Sequence, residues 1–190
     1  MNTSYFEFEV TLLEVEPRLW RSFLLRDTGS FEELHGAIQR ACGWGGVHLY
    51  EFRELAGDSI ASSEQLAEAA DTSEAASVPL QSYFKQSGQE CQYLYDFGDN
   101  WRLWVKLIRK VALPDRFVQR LTGGEGVFPP EDCGGVSGYE GCVKACRLTN
   151  SEIKKLGPHE RQEILARKEW LGGWRPVGLD FKKVQAGFRR

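Results

Sequence analysis

No stretch of this 190-residue chain approaches the roughly 20 apolar residues that a membrane-spanning helix needs, so no membrane partner is expected. Its first residues, Met1-Asn2-Thr3-Ser4-Tyr5, carry neither the basic segment nor the apolar run of a signal peptide, and a cytoplasmic location is the expectation. Positive charge is not in excess. With 24 Lys and Arg against 27 Asp and Glu, the net charge is −3, and the global field that grips nucleic acid is lacking. The five cysteines contain no Cys-x-x-Cys pair, are odd in number and accompany no export signal. Reduced thiols are therefore expected in place of a disulfide framework.

What is present describes an ordinary globular protein: 42% hydrophobic and 27% charged residues, enough for one domain with a sizeable core or one domain plus a small helical extension. Phe6, Phe8, Val10 and Leu12 alternate with Glu7, Glu9 and Thr11, the period of a half-buried strand. After Glu16-Pro17 an apolar run resumes from Leu19 to Leu25, which suggests an antiparallel partner. Ser30-Phe31-Glu32-Glu33 is a capping box, followed by Leu34, Ile38, Ala41 and Cys42 at helical spacing and by Gly43 at the stop. Residues 47–54 read as an interior strand with apolar groups on both faces. Residues 57–77 turn small, polar and acidic and read as an exposed insertion with a short helix over Gln65–Ala70. A second pair of strands is expected over 90–96 and 101–112, the latter carrying a basic stripe of Arg102, Lys106, Arg109 and Lys110. Residues 121–138 hold six glycines and two prolines and read as a long loop. Helices follow, one opening at Pro158 and one capped by Asp180.

Two segments stand apart. In Tyr95-Asp96-Phe97-Gly98-Asp99-Asn100-Trp101, two carboxylates flank a glycine between aromatic residues, a pattern suited to a hairpin tip. A capped turn with aromatic packing is the plainer reading, and a polar site walled by aromatics is the sharper one. In the long loop, Pro129-Pro130 stiffens the backbone just before Glu131-Asp132 and holds those carboxylates in place. The two segments are expected to meet, with Trp20, His48 and Trp101 near the junction.

Pro17-x-x-Trp20-Arg21, Leu34-His35-x-x-Ile38-Gln39, Gly43-Trp44, His48-Leu49-Tyr50-x-Phe52, the acidic hairpin, and Pro129-Pro130-Glu131-Asp132-Cys133-Gly134-Gly135-x-x-Gly138-Tyr139 stand in one order. Together with Trp174-x-Pro176 and Asp180-Phe181, this set resembles the plasmid pRiA-type ORF-three-like family over nearly the whole chain. The resemblance implies an α+β domain of uncharacterised role, associated with mobile elements. A resolvase label attached to some relatives finds no support, because no nucleophilic serine in an arginine-rich site and no helix-turn-helix can be assembled. Where relatives carry a histidine two residues after the hairpin tryptophan this chain has Leu103. Where relatives carry cysteines around the glycine-rich loop it has Leu121 and Phe128.

The expected fold is α+β: an antiparallel sheet with a long helix on one face and a C-terminal helical layer. Its core domain is placed at 1–148 and a helical extension at 149–190. The candidate ligand-binding residues are Trp20, Arg21, His35, His48, Tyr50, Asp96, Asp99, Trp101, Glu131 and Asp132. Asp96, Asp99, Glu131 and Asp132 are also weak candidates for a Mg²⁺ or Ca²⁺ site. A zinc site at Cys133, Cys142, Cys146 and His159, and a Cys133 nucleophile served by His35 or His48, are less economical readings. Two functions survive. The preferred one is a non-enzymatic accessory module that recognises a protein, peptide or nucleic acid through an aromatic- and carboxylate-lined groove, with no cofactor. The alternative is a divalent-metal-dependent enzyme acting on nucleic acid or nucleotide.

Overall fold

The computed structural model describes residues 2–53, 59–65 and 72–188. Eight strands form one sheet: β1 (Thr3–Leu12), β2 (Trp20–Arg26), β3 (Tyr50–Arg53), β4 (Ser59–Ala61), β5 (Thr72–Glu74), β6 (Glu90–Tyr95), β7 (Trp101–Leu113) and β8 (Gln119–Glu125). Their order across the sheet is β5-β4-β3-β6-β7-β1-β2-β8, and every pairing but β4 with β5 is antiparallel. Six helices accompany them among the described residues: α1 (Phe31–Cys42), α2 (Leu80–Tyr83), α3 (Gly135–Arg147), α4 (Asn150–Lys155), α5 (Pro158–Trp170) and α6 (Phe181–Phe188). The class is α+β, and no described helix is long and apolar enough to cross a membrane.

Alternation decides which sheet face becomes the core. Phe6, Phe8, Val10 and Leu12 of β1 point the same way as Phe23 and Leu25 of β2 and Leu103, Val105 and Leu107 of β7, and all are buried. Onto them α1 lays Phe31, Leu34, Ala37, Ile38 and Ala41. Its start is closed by the Ser30–Glu33 capping box and its end by Gly43 in the left-handed conformation, φ 82°. At the β2–β8 edge, α6 packs against α1 and β8, and Phe188 reaches Phe23 with ring centroids 5.5 Å apart. Leu94 is buried too, but it lies on the opposite face from Tyr93 and Tyr95 and outside this cluster.

Where the structure departs from the sequence pattern, side chains have redirected the backbone. The strand expected over 47–54 begins only at Tyr50, and Val47 and Leu49 are 75% and 40% exposed. The Gly45 and Gly46 amides donate to Glu131 and Gln39 side chains, which turns the chain away from the sheet before residue 50. The expected loop 121–138 is shorter at both ends. Its first residues pair with β2, because Gly123 and Gly124 leave room for the Trp20 ring and the Arg21 stem; a Cβ on Gly124 would sit 2.7 Å from Arg21 Cδ. At the other end α3 begins at Gly135, inside the expected loop.

The acidic insertion contributes β4 and β5 to the sheet edge, with Ile60, Ala61 and Ala75 buried. Its apolar signal is too short to register as a period. Of the helix expected over Gln65–Ala70, Gln65 ends a short 3₁₀ turn and the rest lies outside the described residues.

All four cations of the β7 stripe are ion-paired: Arg102 with Glu14, Lys106 with Glu90, Arg109 with Glu7 and Lys110 with Asp27. The stripe is a neutralised strand face.

Ile38 is fully buried at the centre of the helix–sheet contact. Truncating it to alanine removes three buried carbons and leaves a cavity, so Ile38→Ala is expected to lower the unfolding free energy by about 2–5 kcal/mol in urea titration.

Candidate functional site

The sequence brings three chain segments to one end of the sheet. The β6–β7 turn supplies Asp96 and Asp99, the segment after α1 supplies His48, and the segment between β8 and α3 supplies Glu131 and Asp132. Asp96, Asn100 and Asp132 adopt positive φ of 54°, 56° and 59°. Asp and Asn tolerate this conformation better than other non-glycine residues, since their short side chains bond back to the chain. Asp96 does so: its Oδ1 accepts from the Gly98 and Asp99 amides at 3.0 and 3.3 Å. Its Oδ2 is left to face His48, 3.7 Å from Nε2.

His48 Nε2 also lies 3.2 Å from Asp132 Oδ1. It is sealed from solvent and aligned with neither oxygen for a hydrogen bond. One ligand atom each from His48, Asp96 and Asp132 falls within 4.8 Å of the others, the sole such trio among the described residues. An ion with ligands at about 2.1 Å sets neighbouring ligand atoms about 3.0–3.4 Å apart. The His48–Asp132 distance already meets that spacing, and the exposed Asp132 side chain is free to close the rest.

The other two carboxylates support the trio from outside. Glu131 accepts from the Tyr95 hydroxyl at 2.5 Å and from the Gly45 amide at 2.7 Å, tying the proline loop to the hairpin and to the segment carrying His48. Burial, then the Glu131 carboxylate, keeps the Tyr95 phenol protonated well above its ordinary range. Asp99 accepts from the Gly134 amide at 3.2 Å, at the start of α3. Close approach there demands glycine: Gly135 has φ 65°, and a Cβ on it would lie 2.5 Å from the Asp99 carbonyl oxygen. The proline loop is also held by two indoles, Trp44 Nε1 donating to Pro129 O at 2.9 Å and Trp174 Nε1 to Phe128 O at 3.2 Å.

The remaining candidates stand elsewhere. Trp101 is 1% exposed, in an aromatic cluster with Trp44, Tyr95 and Phe128. Trp20 lies on the β2–β8 edge, where its Nε1 donates to Glu125. Arg21 is buried and donates to four backbone carbonyls. His35 and Tyr50 stack at 3.7 Å beside His48 but outside the trio. Gln39, Tyr93 and Tyr95, which hold these histidines and Glu131, were absent from the candidate set. The two tyrosines share the core face of β6 by their spacing of two, a signal visible in the sequence.

The cysteine readings do not hold. Burial pushes the Cys133 thiol up to about 12, so it is no thiolate at neutral pH. Cys142 is buried, and the fourth ligand imagined for zinc, His159, instead faces Glu163 at 3.6 Å.

A largely antiparallel sheet whose hairpin tip meets a glycine- and proline-rich loop, with helices over one face, defines an α+β domain of one recognisable class. The chain belongs to the plasmid pRiA4b ORF-3-like protein family, whose model matches residues 4–183. An uncharacterised protein of Sinorhizobium fredii, y4hQ, is 34% identical over 141 residues, covering 74% of this chain and 72% of that one. The crystal structure of a protein of unknown function from Methanosarcina mazei Go1, MM3350, superposes with a TM-score of 0.79 at 26% identity over 96% of this chain and 97% of that one. Leu103, Leu121 and Phe128 are all in the core.

His35 gives the site a pH signature. Burial, with Arg40 nearby, lowers its pKa from 6.5 to about 4. The unfolded chain takes up this proton near pH 6.5 while the folded chain refuses it until about pH 4. The contribution is present above pH 6.5 and is lost as pH falls toward 4. Denaturation midpoints of the wild type are expected to fall across that window, and His35→Gln is expected to flatten the fall.

Proposed function

We propose that the protein is a divalent-cation-dependent enzyme acting on a nucleotide-sized phosphate ester, with His48, Asp96 and Asp132 as the cation ligands. The observation that carries this reading is His48 Nε2, buried and without a hydrogen bond between two carboxylate oxygens. A nitrogen so placed carries a desolvation cost that a cation would remove. One imidazole with two carboxylates suits Mn²⁺ or Zn²⁺ better than the all-oxygen preference of Mg²⁺ or Ca²⁺.

A cleft of about 720 Å³ opens beside Asp132 and is lined further by Lys144, Arg167 and Trp170. Arg167 is fixed there through Nη1, which donates to Gly138 O at 2.9 Å, and its guanidinium is available to orient a phosphate. Lys144 is engaged with Glu160 at 2.7 Å and sets the cleft's far wall. The half-exposed Trp170 ring offers a face on which a base can stack. A divalent ion held by His48, Asp96 and Asp132 would supply an acidified water and polarise a phosphoryl oxygen. The chain's own part is to hold the ligand atoms, orient the phosphate through Arg167, and keep the Asp96 carboxylate aimed through its Gly98 and Asp99 bonds. The size of the cleft and the paired state of the β7 cations favour a nucleotide over a long duplex, which needs many free cations along its path. The burial of Trp101 and Tyr50 leaves few ring faces for a groove that would grip an extended peptide or strand.

Mn²⁺ or Zn²⁺ at about one hundred times its dissociation constant is expected to stabilise the fold by ~2.7 kcal/mol, a rise of about 5–10 °C in Tm for a chain of this size. Asp132→Asn should abolish that rise while leaving apo stability equal or higher, because a like-charge contact with Asp96 is removed. No metal-dependent shift in the wild type, or an equal shift in the variant, refutes the assignment; cation binding without hydrolysis of nucleotides would return the protein to the class of binding modules.

A further inference from the structure

A cavity of about 660 Å³ lies between the end of α1, the proline loop at 127–131, residues 173–180 and α6. That volume falls within the roughly 300–1,000 Å³ usual for small-ligand pockets. None of His48, Asp96 and Asp132 lines it. Val127, Phe128, Trp174 and Val184 give it apolar walls. Among its charged groups, the cations of Arg21, Arg40, Arg175 and Lys183 stand against the carboxylates of Glu131 and Asp180.

Most of that charge is already engaged. Glu131 accepts from the Tyr95 hydroxyl and the Gly45 amide, and Asp180 Oδ1 accepts from the Lys183 amide at 3.0 Å. Arg21 donates to four backbone carbonyls. Arg40, Arg175 and Lys183 have no carboxylate within ion-pairing distance among the described residues.

Arg40 is the group left short of a partner. Its Nη2 donates to Gln119 Oε1 at 2.7 Å, and Gln119 Nε2 donates to Phe188 O at 2.7 Å. The guanidinium is thereby fixed between α1, β8 and α6. Its Nε is sealed from solvent and has no hydrogen-bond acceptor among the described residues. Burial lowers the Arg40 pKa with no anion to offset it, yet a guanidinium keeps its charge at any physiological pH. A buried donor with neither water nor acceptor carries its full desolvation cost, which native proteins seldom leave unmet. What such a cation lacks is an oxyanion, and the walls around it suit an apolar body.

We propose that this cavity binds a small hydrophobic carboxylate, with Arg40 as its anchor. The carboxylate meets the guanidinium's unmet donor, and Arg175 and Lys183 balance its charge from the rim. Val127, Phe128, Trp174 and Val184 cover the apolar body. The charges select a monoanion. Glu131 and Asp180, fixed in the wall, repel a phosphate dianion more strongly, and the apolar walls offer its further oxygens no donors. The site is separate from the cation trio and requires neither Asp96 nor Asp132.

The test is an NMR titration of the full chain with phenylacetate, with phenylethanol as the uncharged control and inorganic phosphate as a second anion. Saturable shifts are expected with phenylacetate at the Arg40 Nε proton and at the Gly178 and Gly187 amides, and with neither control. Arg40→Gln should weaken binding at least about tenfold, while Asp132→Asn leaves it unchanged. If Arg40→Gln does not fold, the double variant Arg175→Gln with Lys183→Gln, at two exposed positions, is read in its place, with a smaller loss expected. Absence of saturable shifts, an equal response to phenylethanol or to phosphate, or binding unaffected by the charge substitutions overturns the proposal.

Discussion

A buried guanidinium holds together the end of the sheet that carries His48, Asp96 and Asp132. Arg21, 2% exposed, donates to Ala41 O at the end of α1, to Trp20 O on its own strand, and to Glu125 O and Gly126 O where β8 ends, all between 2.8 and 3.0 Å. No carboxylate among the described residues pairs with it. Its charge is met by carbonyl dipoles, including one at the negative end of a helix, and by the face of Phe128 at 4.7 Å. Burial lowers its pKa, but not to where a guanidinium gives up its proton. Helix, sheet edge and outgoing loop are thereby fixed to one planar group whose donors cannot be met elsewhere once it is buried.

From that point the loop has little freedom. Phe128 and Pro129 offer their carbonyls to Trp174 and Trp44, and Pro130 delivers Glu131 and Asp132 to the hairpin. Glu131 spends both its oxygens on architecture, which leaves Asp132 as the exposed carboxylate facing His48. The hairpin divides its labour in the same way. Asp99 steadies the start of α3, and Asp96 uses one oxygen on its own turn and presents the other. Four acidic residues that look alike in sequence become two supports and two that present a free oxygen to His48, according to which backbone amides lie within reach of each.

The two histidines beside this end are likewise separated by surroundings alone. His35 is buried in an aromatic stack, tied to Tyr93, and stays neutral at any physiological pH. His48 faces two carboxylates. Two imidazoles close together in the fold thus meet opposite surroundings, one an aromatic stack and a phenol, the other two carboxylate oxygens.

Much of the fold was legible in the chain because it rests on local rules. Alternation in Phe6 to Leu12 needs only the strand period, and the Ser30–Glu33 box needs only residues three apart. The hairpin around Gly98 needs only turn chemistry, and the family motifs added their order. The short strands β4 and β5, the pairing of Gly123 and Gly124 with β2, and the early end of the strand before Tyr50 were not legible. Each depends on a partner beyond the reach of a local pattern: a sheet edge, the Arg21 and Trp20 side chains, and the Glu131 and Gln39 oxygens. The candidate site divides along the same line. The sequence by itself determined which residues could bear the chemistry, and that the acidic hairpin and the proline loop were the segments to watch. Only the tertiary structure decided that Asp96 and Asp132 face His48, that Asp99 and Glu131 are consumed as supports, and that Trp101 belongs to the core, because hydrogen-bond geometry and burial are set by contacts between segments that no local pattern encodes.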